Sequence, residues 1–275
     1  MTGDKFTIGL VQMTSSNEVA ENVAAAEVFI REAAAGGAQL VMTPECTSLL
    51  ELGRKALFAK IHVQDEESAV RRFSALAEEL GIWLVIGSMP ILVGDKVANR
   101  CFVFGPDGVL EQIYDKIHMF DVDLPNGEQY RESRSYQAGE QAVLADLPWG
   151  RMGLTICYDL RFPYLFRKLA QAGATMLSVP AAFTQQTGEA HWHTLLRARA
   201  IENGAFVFAP AQTGTHASGR KTYGHSLVID PWGKILADGG TEPGVSLAEI
   251  DLTLVEAART NIPSLQHDRP VKDPA

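Results

Sequence analysis

Near-continuous apolar runs divide the chain at intervals. They cover residues 6–13, 40–43 and 83–87 in the first third, and residues 152–156, 175–179, 205–208 and 245–250 later. Short runs without polar alternation are typical of strands that are buried on both faces of a sheet. The pattern therefore predicts a sheet covered on both sides.

Two stretches between these runs carry apolar residues at spacings of three and four, as one face of a helix requires. The first consists of Val19, Val23, Ala26 and Ile30, and the second of Ala69, Phe73, Leu76 and Leu80. Asn17 and Asp65 precede these stretches as candidate N-caps, and Gly36 and Gly81 follow them as stop signals. The early chain is thus predicted to alternate strands with helices packed on the sheet.

Two further segments predict hairpins. Residues 102–114 are interrupted by Gly-Pro-Asp-Gly at 105–108, and residues 226–237 by Asp-Pro-Trp-Gly at 230–233. Both interruptions suit type I turns. The total of about eleven strands exceeds what one small parallel sheet needs. We therefore expect an α/β fold with two packed sheets flanked by helices.

Composition limits the class of protein. With 275 residues and 46% hydrophobic content, the chain can form one α/β domain over residues 1–275, with 262–275 as an extended C-terminal arm. A formal charge of -9 without a basic stripe argues against nucleic acid as a partner. No stretch approaches the roughly 20 apolar residues of a membrane span. We expect a cytoplasmic protein without a membrane partner.

The three cysteines lie far apart without a Cys-x-x-Cys pair, so we predict neither a disulfide framework nor a metal or cofactor site. Cys157 differs from the others because an apolar strand runs into it and helical spacing follows it. Unpaired N–H groups and the helix dipole at such a turn favour a thiolate. Cys157 is a candidate nucleophile, whereas Cys46 and Cys101 are better explained as small buried thiols.

Two charged residues also follow predicted strands. Glu45 stands just beyond the run 40–43, where α/β proteins commonly build their sites, and is a candidate general base. Lys116 comes directly after the hairpin segment 102–114. Taken alone, Glu45 would be interpreted as a solvated loop glutamate and Lys116 as a surface lysine.

The joint occurrence of these residues changes the interpretation. The chain resembles the nitrilase superfamily of carbon-nitrogen hydrolases over nearly its whole length. The catalytic elements of that superfamily are matched, in this order, by Pro44-Glu45, Asp115-Lys116-Ile117-His118 and Cys157-Tyr158-Asp159. The resemblance implies a catalytic set of Glu45, Lys116 and Cys157, with Glu132 in a supporting role. It also implies a four-layer α-β-β-α sandwich and pairing of subunits through a helix layer into a homodimer or higher homo-oligomer.

Residues 120–125 and 182–192 are most similar to the branch of deaminated-glutathione amidases, with the ω-amidases as the nearest competitor. The resemblance implies hydrolysis of a small, linear carboxylated amide to acid and ammonia through a cysteine thioester. The same three groups could serve nitrile or N-carbamoyl hydrolysis. A catalytically silent interaction module is the alternative from another class, because a fold does not guarantee activity.

Substrate contacts are predicted at three positions. Arg161 follows Cys157 by four residues, and in relatives that act on carboxylated amides a matching arginine contacts the substrate carboxylate. A surface arginine paired with an acidic neighbour is the alternative for this position. Tyr158, whose backbone N–H is a second candidate donor to the oxyanion, and Phe183 complete the predicted set.

Other patterns are weaker. Residues 214–222 nearly spell a phosphate-binding loop, but Arg220 occupies the position that requires lysine. Ser226 follows Gly224 as in a serine-hydrolase elbow, yet the second glycine is missing. His191 and His193 have no carboxylate or third histidine at familiar metal spacing, so no metal site is predicted there.

Overall fold

A computed structural model describes residues 3–125 and 127–272. The strands in these ranges are β1 (Lys5–Gln12), β2 (Leu40–Met42), β3 (Trp83–Val93), β4 (Lys96–Phe104), β5 (Leu110–Asp115), β6 (Asp121–Asp123), β7 (Gln129–Arg131), β8 (Val143–Leu147), β9 (Gly150–Leu154), β10 (Ala174–Ser178), β11 (Phe206–Ala209), β12 (Thr213–Thr215), β13 (Lys221–Tyr223), β14 (Leu227–Ile229), β15 (Ile235–Asp238) and β16 (Gly244–Asp251). The α-helices are α1 (Val19–Ala35), α2 (Arg54–Phe58), α3 (Ser68–Leu80), α4 (Pro163–Gln171), α5 (Gln185–Asn203) and α6 (Thr253–Asn261).

Two six-stranded sheets of similar design form the centre of the molecule. The first has the order β16-β1-β2-β3-β4-β5 and the second β15-β14-β11-β10-β9-β8. In each sheet three neighbouring central strands run parallel and the outer strands run antiparallel. Parallel strands need covered faces, and helices supply the cover on the outside of both sheets.

The side chains of β1 show how the layers pack. Ile8 and Leu10 belong to a core shared with β9, β10 and β11 of the second sheet. Val11 points the other way, into a core with Ala26 and Ile30 of α1. Because α4 and α5 cover the outer face of the second sheet, the order of layers is helix, sheet, sheet, helix. The predicted four-layer α-β-β-α sandwich is confirmed.

All predicted strands and both predicted hairpins are present. In the hairpins, the Gly108 N–H donates to the Gly105 carbonyl (3.0 Å) and the Gly233 N–H to the Asp230 carbonyl (2.9 Å). The estimate of eleven strands was too low for the described residues, because β6, β7, β8, β12 and β13 lack a continuous apolar run. Four of these strands form small hairpins outside the main sheets, where burial does not enforce an apolar pattern.

Two helix starts were predicted wrongly. The N-cap of α1 is Glu18 and not Asn17, and that of α3 is Glu67 and not Asp65. Glu67 accepts the N–H of Ala69, so it performs the capping that the sequence assigned to Asp65. Asp65 itself lies in a separate 3₁₀ turn before the helix.

The predicted arm 262–275 begins with a 3₁₀ turn, Ser264–Gln266, and then lies along α4, where Asp268 pairs with Arg167. Residues 273–275 of the predicted arm lie outside the described residues. No helix in the described part of the chain is long and apolar enough to cross a membrane.

Candidate active site

Glu45, Lys116 and Cys157 come together at one end of the sandwich. Glu45 lies three residues after β2, Lys116 directly follows β5, and Cys157 lies three residues after β9. β2 and β5 belong to the first sheet and β9 to the second, so the three side chains meet where the two sheets face each other. Their exposed fractions are only 4%, 2% and 6%.

A glycine permits this close approach of the two sheets. A Cβ atom on Gly87 of β3 would collide with the Thr43 carbonyl oxygen and the Pro180 ring. Thr43 and Pro180 lead into the loops that carry Glu45 and Ala182, respectively. Any larger side chain at Gly87 would therefore push the two halves of the site apart.

Lys116 bridges two carboxylates. Its Nζ lies 2.9 Å from Glu45 Oε1 and 2.9 Å from Glu132 Oε2. Asn99 Nδ2 donates to the same two carboxylates, to Glu45 at 2.9 Å and to Glu132 at 3.3 Å. The second oxygen of Glu45 accepts the Ala182 N–H at 2.8 Å. Both oxygens of Glu45 are thus held in place by donors from both sheets.

These contacts set the protonation states of the site. Burial opposes the charge on Glu45, but Lys116, the Cys157 thiol and the Ala182 N–H outweigh it and lower the pKa of Glu45. Burial likewise opposes the charge on Lys116, yet Glu132 and Glu45 raise the pKa of Lys116 well above its usual range. The resting site therefore holds a carboxylate and an ammonium side by side.

The turn at Cys157 is predicted to favour a thiolate, but the surroundings of the sulfur atom oppose this effect. Burial, followed by the charge of Glu45, raises the pKa of Cys157 well above its ordinary value of 9.0, although Lys116 acts in the opposite direction. A buried thiol beside a carboxylate stays protonated because the thiolate would lose solvation and face a like charge. The neutral thiol then needs a base, and Glu45 is its ionised neighbour.

Asp159 connects the loop that carries Cys157 to the segment that carries Lys116 by hydrogen bonds. Cys157 opens a 3₁₀ turn, Cys157–Arg161, with the unusual backbone angle φ of 50°. The fully buried Asp159 carboxylate accepts the Ile156 N–H (2.9 Å) on one side of this turn. It also accepts the Tyr114 hydroxyl (2.7 Å) and the His118 N–H (3.0 Å), which flank Lys116. The nucleophile candidate is therefore held at a defined position relative to the lysine.

A cavity of about 210 Å³ opens onto these groups. Its lining includes Glu45, Lys116, Glu132, Cys157, Tyr158, Phe183 and Arg220. The structure thus brings together all four residues of the predicted catalytic set, and it places Tyr158 and Phe183 beside them.

Arg161 does not line this cavity. Its guanidinium lies over the Phe183 ring, 5.4 Å from the ring centroid, and contacts His191 at 3.3 Å. It therefore stands behind a wall of the cavity, and its contact with a substrate carboxylate stays a prediction.

The two other cysteines differ from each other. Cys101 is fully buried in β4, as a structural thiol should be. Cys46 is half-buried and lines the cavity, which the sequence did not indicate. Burial and the charge of Glu45 raise the pKa of Cys46 far above its ordinary value, so this thiol is also neutral.

Sequence reasoning missed three residues of the site. Asn99 offered little signal, since it stands next to the charged Arg100 in β4. Asp159 belongs to the Cys157-Tyr158-Asp159 motif, and its structural role becomes visible only in the fold. Arg220 lies in the segment that resembles a phosphate-binding loop, and the hairpin β12-β13 carries it into the cavity.

One group of side chains away from the cavity could hold a metal ion. His193, His225 and Asp238 offer ligand atoms within 4.8 Å of one another among the described residues. The sequence did not reveal this cluster because its members lie on α5, before β14 and at the end of β15. Asp238 accepts hydrogen bonds from His225 (2.8 Å) and the Gly240 N–H (2.9 Å), and contacts His193 at 3.2 Å. These contacts satisfy the carboxylate without a metal ion.

Known proteins resemble this chain over nearly its full length. The sequence profile of the carbon-nitrogen hydrolase family matches residues 7–260. Deaminated glutathione amidase of Yersinia enterocolitica is 41% identical over 266 residues, which cover 95% of this chain and 92% of that protein. Omega-amidase NIT2 of Homo sapiens is 38% identical over 264 residues, with 96% and 95% covered.

A solved structure of a related protein has the same fold. The crystal structure of Saccharomyces cerevisiae Nit3, a member of branch 10 of the nitrilase superfamily, superimposes with a TM-score of 0.85. The two chains are 33% identical, and the match covers 94% of each.

Proposed function

The chain belongs to the carbon-nitrogen hydrolase family, and we propose that it hydrolyses the amide bond of deaminated glutathione through a thioester on Cys157. The predicted amide-hydrolysing activity is confirmed at the level of the family. The observation that carries the mechanism is the buried contact of a carboxylate, an ammonium and a neutral thiol at one cavity.

In the first half-reaction, Glu45 accepts the thiol proton while Cys157 Sγ attacks the amide carbonyl carbon. Negative charge then develops on the carbonyl oxygen, where Lys116 stabilises it together with the Tyr158 backbone N–H. Protonated Glu45 passes its proton to the leaving nitrogen as the C–N bond breaks, which leaves the thioester and a neutral amine.

In the second half-reaction, a water molecule replaces the amine. Glu45 takes a proton from this water as its oxygen attacks the thioester carbonyl, and Lys116 again faces the oxyanion. The C–S bond breaks, the thiol regains a proton from Glu45, and the acid leaves. Glu132 accepts hydrogen bonds from Lys116 at 2.9 and 3.0 Å throughout and keeps it oriented and charged.

The leaving group depends on the substrate. Deaminated glutathione is an amide of cysteinylglycine, so its hydrolysis releases that dipeptide amine. The release of ammonia predicted from the sequence applies to primary amides such as α-ketoglutaramate. Both substrates share one acyl group, which bears an α-keto acid at the end remote from the scissile amide.

The choice between the two substrates is tested by comparing kcat/KM for deaminated glutathione and α-ketoglutaramate on one enzyme preparation. We expect deaminated glutathione to be preferred, with cysteinylglycine as the measured product. A strong preference for α-ketoglutaramate, measured as ammonia, would instead assign ω-amidase activity, which the 38% identity to the human enzyme makes the second candidate. Nitrile and N-carbamoyl substrates, assayed in parallel, distinguish the remaining hydrolase activities, and inactivity on all substrates would indicate a silent module.

The protonation states predict an unusually flat pH profile of kcat/KM. Glu45 must be ionised to act as a base, and its pKa lies below the ordinary 4.5. Lys116 must be charged, and its pKa lies above the ordinary 10.5. Activity should therefore be nearly constant from about pH 5 to about pH 10. A tenfold rise per pH unit that levels off near 9, with enzyme stability verified at each pH, would show that a free thiolate is the nucleophile and contradict this mechanism.

We also propose that two copies of the chain pair, as the family resemblance implies. Exposed apolar side chains support this proposal: Ile201 near the end of α5, Trp232 in the turn between β14 and β15, and Leu254 in α6 are 52%, 62% and 42% exposed. The Ile201 side chain lies beside the turn that carries Trp232, since it would meet a Cβ atom on Gly233, and neighbouring exposed apolar side chains are typical of protein interfaces.

A further inference from the structure

The hairpin β12-β13 carries an arginine into the cavity on a rigid loop. His216 holds this loop in place through two hydrogen bonds. Its Nδ1 donates to the Ser15 carbonyl (2.8 Å), and its Nε2 accepts the Thr222 hydroxyl (2.7 Å). Burial lowers the pKa of His216, which keeps the ring neutral and suits one donor and one acceptor nitrogen. The His216 N–H also donates to the Arg220 carbonyl at 2.9 Å, so the backbone of Arg220 is fixed.

The side chain of Arg220 is held against the catalytic groups but is not fully satisfied. Its Nη2 donates to the Ala182 carbonyl, and the N–H of the same Ala182 donates to Glu45. Its guanidinium lies 5.0 Å from the centroid of the Tyr130 ring. The buried Nε has no hydrogen-bond partner among the described residues. A buried donor without a partner is costly, so a shift of the guanidinium toward a bound acceptor would relieve that cost.

Arg220 also differs from the other cations of the cavity. Lys116, Arg131 and Arg220 are the cations that line it in the described part of the chain. Lys116 pairs with two glutamates, and Arg131 pairs with Asp123 at 2.7 Å. No carboxylate of the described residues lies within ion-pair distance of Arg220. Its charge is therefore available to a bound anion.

The charge of Arg220 reaches the reacting groups. It lowers the pKa of the Cys157 and Cys46 thiols, against the larger opposing effect of burial. A protein with a formal charge of -9 repels an anionic substrate at long range, so retention of such a substrate needs a local positive site. A guanidinium can hold a carboxylate through two parallel hydrogen bonds.

We propose that Arg220 binds the carboxylate of the substrate's acyl group, a role that the sequence assigned to Arg161. This inference rests on the proposed function, because it names the group that selects carboxylated amides. Deaminated glutathione and α-ketoglutaramate share the acyl group and differ in the amine. Arg220 therefore sets the preference for the acid and does not discriminate between these two substrates.

The test compares two amides that differ in one group. α-Ketoglutaramate carries the carboxylate, and 4-oxopentanamide has a methyl group in its place. In Arg220→Gln we expect the ratio of kcat/KM for these amides to fall by a factor of about 30 to 5000, the range for deleting one partner of a buried charged pair. Arg220→Lys keeps the charge but lacks the planar guanidinium with its two parallel donors. It should lower this ratio less than Arg220→Gln does.

Lys221→Gln is the matched control. Lys221 is the adjacent residue, is exposed and does not line the cavity, so its removal changes the net charge equally and should leave the ratio unchanged. Arg161→Gln tests the competing assignment in the same assay. A fall of the kcat/KM ratio in Arg161→Gln but not in Arg220→Gln would overturn the inference. An equal fall of kcat/KM for both amides in Arg220→Gln would also overturn it.

Binding separates this inference from the proposed function. Calorimetry with both amides on Cys157→Ala, with and without Arg220→Gln, measures recognition in proteins that lack the nucleophile. We expect Arg220→Gln to weaken binding of α-ketoglutaramate far more than binding of 4-oxopentanamide. Unchanged affinity for α-ketoglutaramate would refute the role of Arg220. Absence of turnover in the wild-type protein would refute only the proposed function.

Discussion

Replacement of Cys157 by alanine is expected to lower kcat by about a millionfold, the loss seen when the nucleophile of another acyl-transfer hydrolase is removed. The nucleophile occupies a defined position, because Asp159 accepts the Ile156 N–H beside it and the Tyr114 hydroxyl of β5. The change removes one sulfur atom from the wall of an open cavity, so the thermal unfolding midpoint should move little. Steady-state kinetics and a thermal melt on the same preparation measure both quantities.

Cys101→Ala provides the contrast for this variant. Cys101 is fully buried in β4, away from the cavity, so its replacement should affect stability and leave turnover near the wild-type level.

Alkylation gives a second measurement, because a reagent that enters the cavity meets Cys157 beside its base. Peptide mass spectrometry should find Cys157 modified first. Modification of Cys101 before Cys157, or substantial turnover by Cys157→Ala, would exclude Cys157 as the nucleophile.

The parts of the fold that were predicted correctly are those with a strong local signal. Central strands are largely apolar because both of their faces are buried, and α1 and α3 show helical spacing because one face of each is buried. β6 and β7 pair only with each other outside the main sheets, so their sequences carry little pattern. The helix starts were misassigned because several polar residues near each start could act as the cap, and tertiary contacts select among them.

In the candidate site, too, the residues with a strong local signal in the sequence were predicted correctly. Glu45, Lys116 and Cys157 stand within three residues after strands, and the order of their motifs along the chain was sufficient to group them. Arg220 could not be assigned, since its place in the cavity depends on a hairpin anchored 201 residues away in sequence, through His216 and Ser15. The protonation state of Cys157 was also beyond local reasoning. A helix terminus favours a thiolate, but burial beside Glu45 outweighs that effect.

Glu45→Gln is expected to stop acyl-enzyme formation at nearly constant side-chain volume. A neutral amide cannot accept the thiol proton, so the attack of Cys157 loses its general base, which contributes up to about 10⁴-fold in such reactions. The geometry adds a second cost. Oε1 of Glu45 accepts from Lys116 and Asn99, and Oε2 accepts from the Ala182 N–H. In glutamine one of these positions becomes an NH₂ group, which must face a donor.

Intact-mass spectrometry after rapid mixing with substrate distinguishes the two half-reactions of this variant. We expect no thioester adduct on the time scale of wild-type turnover, because the first proton transfer is already blocked. Glu132→Gln is the matched comparison, since it also neutralises a carboxylate bonded to Lys116 but leaves the base beside Cys157. That variant should form the adduct, more slowly than wild type, as Lys116 loses part of its orientation. Rapid adduct formation in Glu45→Gln followed by slow hydrolysis would restrict Glu45 to the second half-reaction and require another base for the thiol.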